Sequence, residues 1–181
     1  MISLLGTRKR TYVIDRRQYG DTYWQSLLFF NIYRVATAVI LTGAVLAFGP
    51  GLPFGSHSRT EFLYTSVGYL IFGILAFAGI FPRKPHFTFQ LSVQVCADIV
   101  FVVLMMHASR GVSSGLGLLL LVSLAAVGLV SRGRRTLFFA AIATIAILGE
   151  QVYEVIYLQG SSAQFAQSGL LCIGYFATGW L

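Results

Sequence analysis

Six apolar stretches account for most of this chain, each close to the ~20 residues that carry a helix across a ~30 Å hydrocarbon core. They run over Gln25–Phe48, Phe62–Phe81, Phe87–His107, Ser113–Ser131, Thr136–Tyr157 and Gln164–Leu181. All four prolines (Pro50, Pro53, Pro82 and Pro85) fall in the gaps, where helices must stop. Of the 181 residues 56% are hydrophobic and only 10% charged. A soluble domain carries charge on about a quarter of its residues. No stretch alternates with period two, which rejects a β-barrel. The fold expected is all-α: a polytopic membrane bundle of six transmembrane helices, residues 25–181, behind a basic segment over residues 1–24. Because the gaps are short, consecutive helices should pack as antiparallel hairpins.

The net charge of +7 is a topology signal, not a nucleic-acid footprint, because it is concentrated in short segments. The first tail carries Arg8, Lys9, Arg10, Arg16 and Arg17, the second gap Arg83 and Lys84, and the fourth Arg132, Arg134 and Arg135. Those ten basic residues share one side of a six-span chain, against Arg59 and Arg110 on the other. The positive-inside rule then makes both termini cytoplasmic. Tyr23 and Trp24 stand where an interfacial aromatic belt is expected. The last stretch reaches Leu181 without a flanking polar residue, and we expect the chain to be the membrane portion of something longer.

Charged and amide side chains inside the apolar stretches need a reason to be there, since each costs several kcal/mol, roughly 2.5–3.5 at a helix centre. Arg34 lies in the first stretch with Asn31 one turn earlier on the same face. Asp98 lies in the third, one turn after Gln94, at a depth similar to that of Arg34. An Arg34–Asp98 pair that fixes which helices touch is the main expectation. The alternative has the Arg34 stem snorkelling back to the headgroups.

Glu150 and Glu154 share one face of the fifth stretch at i, i+4 spacing, with Gln151 and Tyr157 nearby. They lie in its outer third, where water is expected to reach Glu154. At least one is expected to hold a proton at neutral pH. Three readings are open: a hydrogen-bonded pair inside the bundle, a polar dock for a ligand or partner helix, and a proton-transfer step. Gly111-Val-Ser-Ser-Gly115 has close-approach spacing but falls in an outer turn, so a helix start capped by Ser113 or Ser114 is preferred. Cys96 and Cys172 are read as small buried hydrophobes. His57, His86 and His107 are scattered, and neither a metal-ligand cluster nor a catalytic constellation is visible.

The runs RGVSSGLGLLLLVSLAA (Arg110–Ala126), RGRRTLFFAA (Arg132–Ala141) and LGEQ (Leu148–Gln151) together resemble the membrane input region of PilS-type sensor histidine kinases, which govern type IV pilus genes. The opening FNIYRV (Phe30–Val35) is also similar to that family's first helix. The resemblance implies a dimeric two-component sensor in a bacterial inner membrane. Its helices would read the amount of pilin in the bilayer, with the pilin's hydrophobic helix as ligand. The result would pass through the sixth helix to a cytoplasmic kinase region and a response regulator. ATP and Mg would belong to that kinase region; this chain itself calls for no cofactor. None of its three histidines has the context of a phosphoacceptor. Glu150, Glu154, Gln151, Arg34 and Asn31 are the candidate signal contacts, inferred from burial and not from a family motif. The competing classes are a small proton- or cation-coupled transporter or channel using Asp98, Glu150 and Glu154, and an anchor with no ligand.

Overall fold

A computed structural model describes residues 3–48, 53–80, 87–130, 133–158 and 163–180. It consists of six α-helices: α1 (Ser3–Phe48), α2 (Arg59–Ile80), α3 (Phe87–Ala108), α4 (Gly117–Val130), α5 (Gly133–Leu158) and α6 (Ala163–Trp180). A 3₁₀ turn, Gly111–Ser114, joins α3 to α4, and no strand occurs among the described residues. Four helices are long and apolar enough to span a bilayer, over Ser26–Phe48, Arg59–Ala78, Phe89–Ala108 and Arg134–Tyr157. α1 continues as helix on the N-terminal side of its apolar part. Pro82, Arg83, Lys84, Pro85, His86 and Arg132 lie outside the described residues, whereas Arg134 and Arg135 open α5 and do not sit in a turn.

The fourth stretch departs from expectation. α4 has 14 residues, about 21 Å at 1.5 Å per residue, and does not fill Ser113–Ser131 as a full span. The cause is backbone chirality. Arg110, Gly111 and Gly115 have φ of 61°, 68° and 74°, a left-handed conformation that cannot continue a right-handed helix. Ser113 and Ser114 belong to the 3₁₀ turn and donate to the Arg110 and Gly111 carbonyls at 2.8 Å; of the two expected caps, Ser114 Oγ also accepts from the Leu116 amide, just ahead of α4, at 3.4 Å. Irregular backbone at membrane depth survives only when protein covers it. Accordingly Gly111, Val112 and Ser114 are buried.

α1 packs on α2 and α5 on α6 as hairpins, while α3 lies against α2, α4 and α5. The short α4 is central, and it packs more extensively on α6 than on its chain neighbour α5. Glycine permits this. A Cβ on Gly117 would fall 2.8 Å from Leu171, and one on Gly128 would fall 2.9 Å from the Thr178 carbonyl. The Tyr175 hydroxyl closes the same seam by donating to the Gly117 carbonyl at 2.8 Å.

Apolar side chains occupy both the interior and the periphery. Leu120, Leu124, Val95 and Ile147 are buried, while Phe29, Leu129, Ile145 and Ile173 are exposed. In lipid both faces are apolar, so hydrophobicity does not mark the inside. Cys96 shows the consequence: it is exposed on α3, and only Cys172 is buried. At one end of the bundle the connecting segments are tied together. His57 and Ser58 backbone amides donate to the Ala108 carbonyl at 3.1 Å, and the Gly55 amide donates to Ser109 Oγ at 2.9 Å. Arg59 also donates to the Val45 carbonyl at 3.0 Å, satisfying an acceptor in the last turn of α1.

Candidate functional site

Counted from the basic-side end of each span, Arg34, Tyr69 and Asp98 are about 12–14 Å deep on α1, α2 and α3. At that level they form one closed knot. Arg34 Nε meets Asp98 Oδ1 at 2.6 Å and one terminal nitrogen meets Oδ2 at 2.9 Å, a two-pronged ion pair. The same nitrogen donates to the Gln94 carbonyl at 3.1 Å, and the other reaches Asn31 Oδ1 at 3.4 Å. Asn31 donates onward to the Gly73 carbonyl at 3.0 Å. Tyr69 donates its hydroxyl to Asp98 Oδ1 at 2.8 Å. The rings of Phe30 and Phe72 stand 5.0 and 5.5 Å from the guanidinium carbon. Arg34 does not snorkel: it and Asn31 are fully buried. α1 and α3 do not pack closely, and the long arginine spans the gap between them. With its donors directed at protein acceptors and no surface of its own, this knot serves architecture. Arg34 and Asn31 are thus engaged by partners within the bundle.

The second assembly lies at the opposite end, where α3, the 3₁₀ turn, α5 and the start of α6 converge. Glu150 Oε1 sits 2.9 Å from His107 Nδ1. The His107 ring lies 6.2 Å from that of His57 and 5.3 Å from that of Tyr153, which in turn packs on Tyr157 at 4.8 Å. Glu154, one turn after Glu150, faces inward under the turn, with its carboxyl against Gly111 where a Cβ would stand. This departs from the water access expected at Glu154. Glu154 is 4% exposed, whereas the Glu150–His107 pair keeps part of its surface open. Gln151 is fully buried and donates to Gln164 Oε1 at 3.3 Å. Glu154 Oε2 and Gln151 Oε1 have no hydrogen-bond partner. Glu150, Gln151 and Glu154 are thus brought together, about a membrane leaflet away from Arg34 and Asn31.

Sequence reasoning overlooked Tyr69, His57, His107 and Gly111. Tyr69 could have been found by depth, since it matches Arg34 and Asp98 when counted along α2. His107 closes α3 at the end where the fifth stretch carries its acids, and six-span topology places the two together. Gly111 stood out only for its spacing from Gly115, and only the fold shows what fills the place of its missing side chain. Chemically the outer cluster can exchange hydrogen bonds through a carboxyl and an amide oxygen. No group of three or more metal-ligating side chains occurs among the described residues.

Comparison with family models matches residues 16–181 to the PilS-like transmembrane domain. Comparison with curated proteins and with solved structures gives no match. Six helices, a multi-pass membrane architecture and a match that extends over nearly the whole sequence agree: the chain belongs to the PilS-like transmembrane domain family.

Proposed function

We propose that this domain senses a membrane-embedded helix, with pilin as the expected ligand, and relays binding through α6 to a kinase region beyond residue 181. The observation that carries the reading is the family match over residues 16–181, which at family level supports a membrane input module of a sensor kinase. The expected context is a homodimer in a bacterial inner membrane, acting on a response regulator. Relay requires two helix arrangements that the ligand binds unequally, since equal affinity would shift nothing. The seam between α4 and α6 gives such a change a route, because α4 touches α1, α3 and α5 as well. The outer cluster supplies unsatisfied polar atoms, in Glu154 and Gln151, that a ligand or a rearrangement could engage.

Of the two readings weighed against it, the coupled transporter has least support. Both Asp98 oxygens are held by Arg34, so Asp98 is not free to carry a proton or cation along a path with Glu150. Photocrosslinking in native membranes from the exposed Val152 and Tyr157 tests the proposal. Expected is an adduct with pilin, together with kinase output that follows pilin level and changes when Glu150 and Glu154 both become Gln. Absence of the adduct with output indifferent to pilin would overturn the reading.

A further inference from the structure

A groove of about 310 Å³ opens between α2 and α3 in the half of the bundle nearer the basic segments, lined by Phe72, Leu75, Phe89, Val93, Gln90 and Gln94 among others. Its walls are apolar, but its floor is not. Gln94 is 2% exposed, yet neither its amide nitrogen nor its oxygen has a partner, and Gln90 Oε1 is also buried and unpaired. In hydrocarbon no water reaches such atoms, so leaving them unpaired is costly. The walls exclude a purely apolar occupant as a full solution: an acyl chain would fill the space and leave three polar atoms unsatisfied.

We propose that this groove receives a single hydrogen-bonding side chain, a carboxamide or hydroxyl, projected by a partner transmembrane helix of otherwise apolar surface. Depth favours a helix over a lipid headgroup. Gln94 lies five residues into the span that begins at Phe89, about 7–8 Å inside it, below the level of ester carbonyls. A two-fold axis through the groove would set two sunken amides against each other, neither able to reach, so a second copy could occupy it only off the axis, with a side chain from another position. A carboxamide both donates and accepts, which matches the free donor of Gln94 and the free acceptors of Gln94 and Gln90 once those amides turn into the groove from their buried positions.

The position also has a consequence for the knot beside it. Phe72 forms one wall and stacks toward Arg34, and the Gln94 backbone carbonyl is an Arg34 acceptor. A side chain seated in the groove therefore bears on the residues that fix α1 against α3. The inference rests on the domain's being a receptor for membrane helices, but it concerns a different face from the outer cluster.

The test uses the whole chain in lipid nanodiscs and two synthetic probe helices: an apolar 22-residue peptide with one central-to-inner Gln, and the same peptide with Leu there. Binding is read by energy transfer between labels on peptide and protein. The Gln peptide is expected to bind between about threefold and tenfold tighter than the Leu peptide. That preference should vanish in Gln94→Leu. Equal binding of the two peptides to the unmodified chain would overturn the proposal, and this comparison does not depend on any variant folding. A disulfide between copies of Val93→Cys that blocks the Gln peptide would overturn it too, by assigning the groove to a second copy. Because kinase output is not measured, the groove can fail here while the sensor reading stands, and the converse.

Discussion

The knot around Arg34 and the cluster around Glu154 are both polar assemblies in apolar surroundings, yet only one is closed. At the knot, Asp98 takes three hydrogen bonds from two helices, and the guanidinium is directed at a carboxylate, an amide oxygen and a backbone carbonyl. At the cluster, a buried carboxyl oxygen and a buried amide oxygen are left over, and the His107–Glu150 contact is partly open. A closed network specifies helix partners and resists change. An open one stores unsatisfied hydrogen bonds that another arrangement, or another molecule, can satisfy. The difference separates residues that hold the helices together from residues that still have hydrogen bonds to make.

The most severe way to break this comparison is Arg34→Met, which leaves Asp98 buried without its cationic partner. Loss of one partner of a buried pair costs about 3–5 kcal/mol, whereas apolar replacement of the whole assembly is often neutral. Arg34→Met combined with Asp98→Leu and Tyr69→Phe should therefore recover most of the stability lost by the single change. Unfolding midpoints in detergent micelles measure both. A triple variant as unstable as the single one would mean that the knot contributes more than helix specification.

The next test compares two glycines in the same left-handed conformation. Gly115 has open space around it, whereas Gly111 has the Glu154 carboxyl against it. Gly115→Ala should cost about 1–2 kcal/mol from backbone strain alone. Gly111→Ala should cost roughly 1–3 kcal/mol more, because the carboxyl must move. Adding Glu154→Ala should remove only that excess. Equal costs at both glycines in the same unfolding assay would show that Glu154 is not held under the turn.

Much of this was legible in the sequence, and the part that was not has a common cause. Segment number, helix type and the Arg34–Asp98 pairing follow from apolar length and from the depth of polar residues. Which apolar faces touch does not follow, because lipid is as good a solvent for leucine as the core is. Exposed Cys96 and the extensive α4–α6 seam are therefore invisible to hydrophobicity, as is the shortness of α4, which depends on backbone chirality at residues 110–115. The cluster was half legible: Glu150 and Glu154 stand out as acids in an apolar stretch. Their partners could be found only by registering the ends of α3 and α5, and their relative burial depends on a glycine in the turn before α4, with one whole helix between it and α5.

The smallest effect expected is also the one that sharpens the comparison most. His107 keeps 33% of its side-chain surface and Glu150 11%, so their interaction is screened in a way the Arg34 pair is not. Glu150→Gln preserves a hydrogen-bonding group beside the imidazole, and should change stability by less than about 1 kcal/mol, with whatever remains falling as salt is raised. Arg34→Met should show no such salt dependence, since both members of its pair keep only 1%. A cost for Glu150→Gln that approached that of Arg34→Met and ignored salt would make the outer cluster as closed as the knot. The physical basis for placing the response there would then be gone, and the open amides between α2 and α3 would remain as the unsatisfied groups a partner could engage.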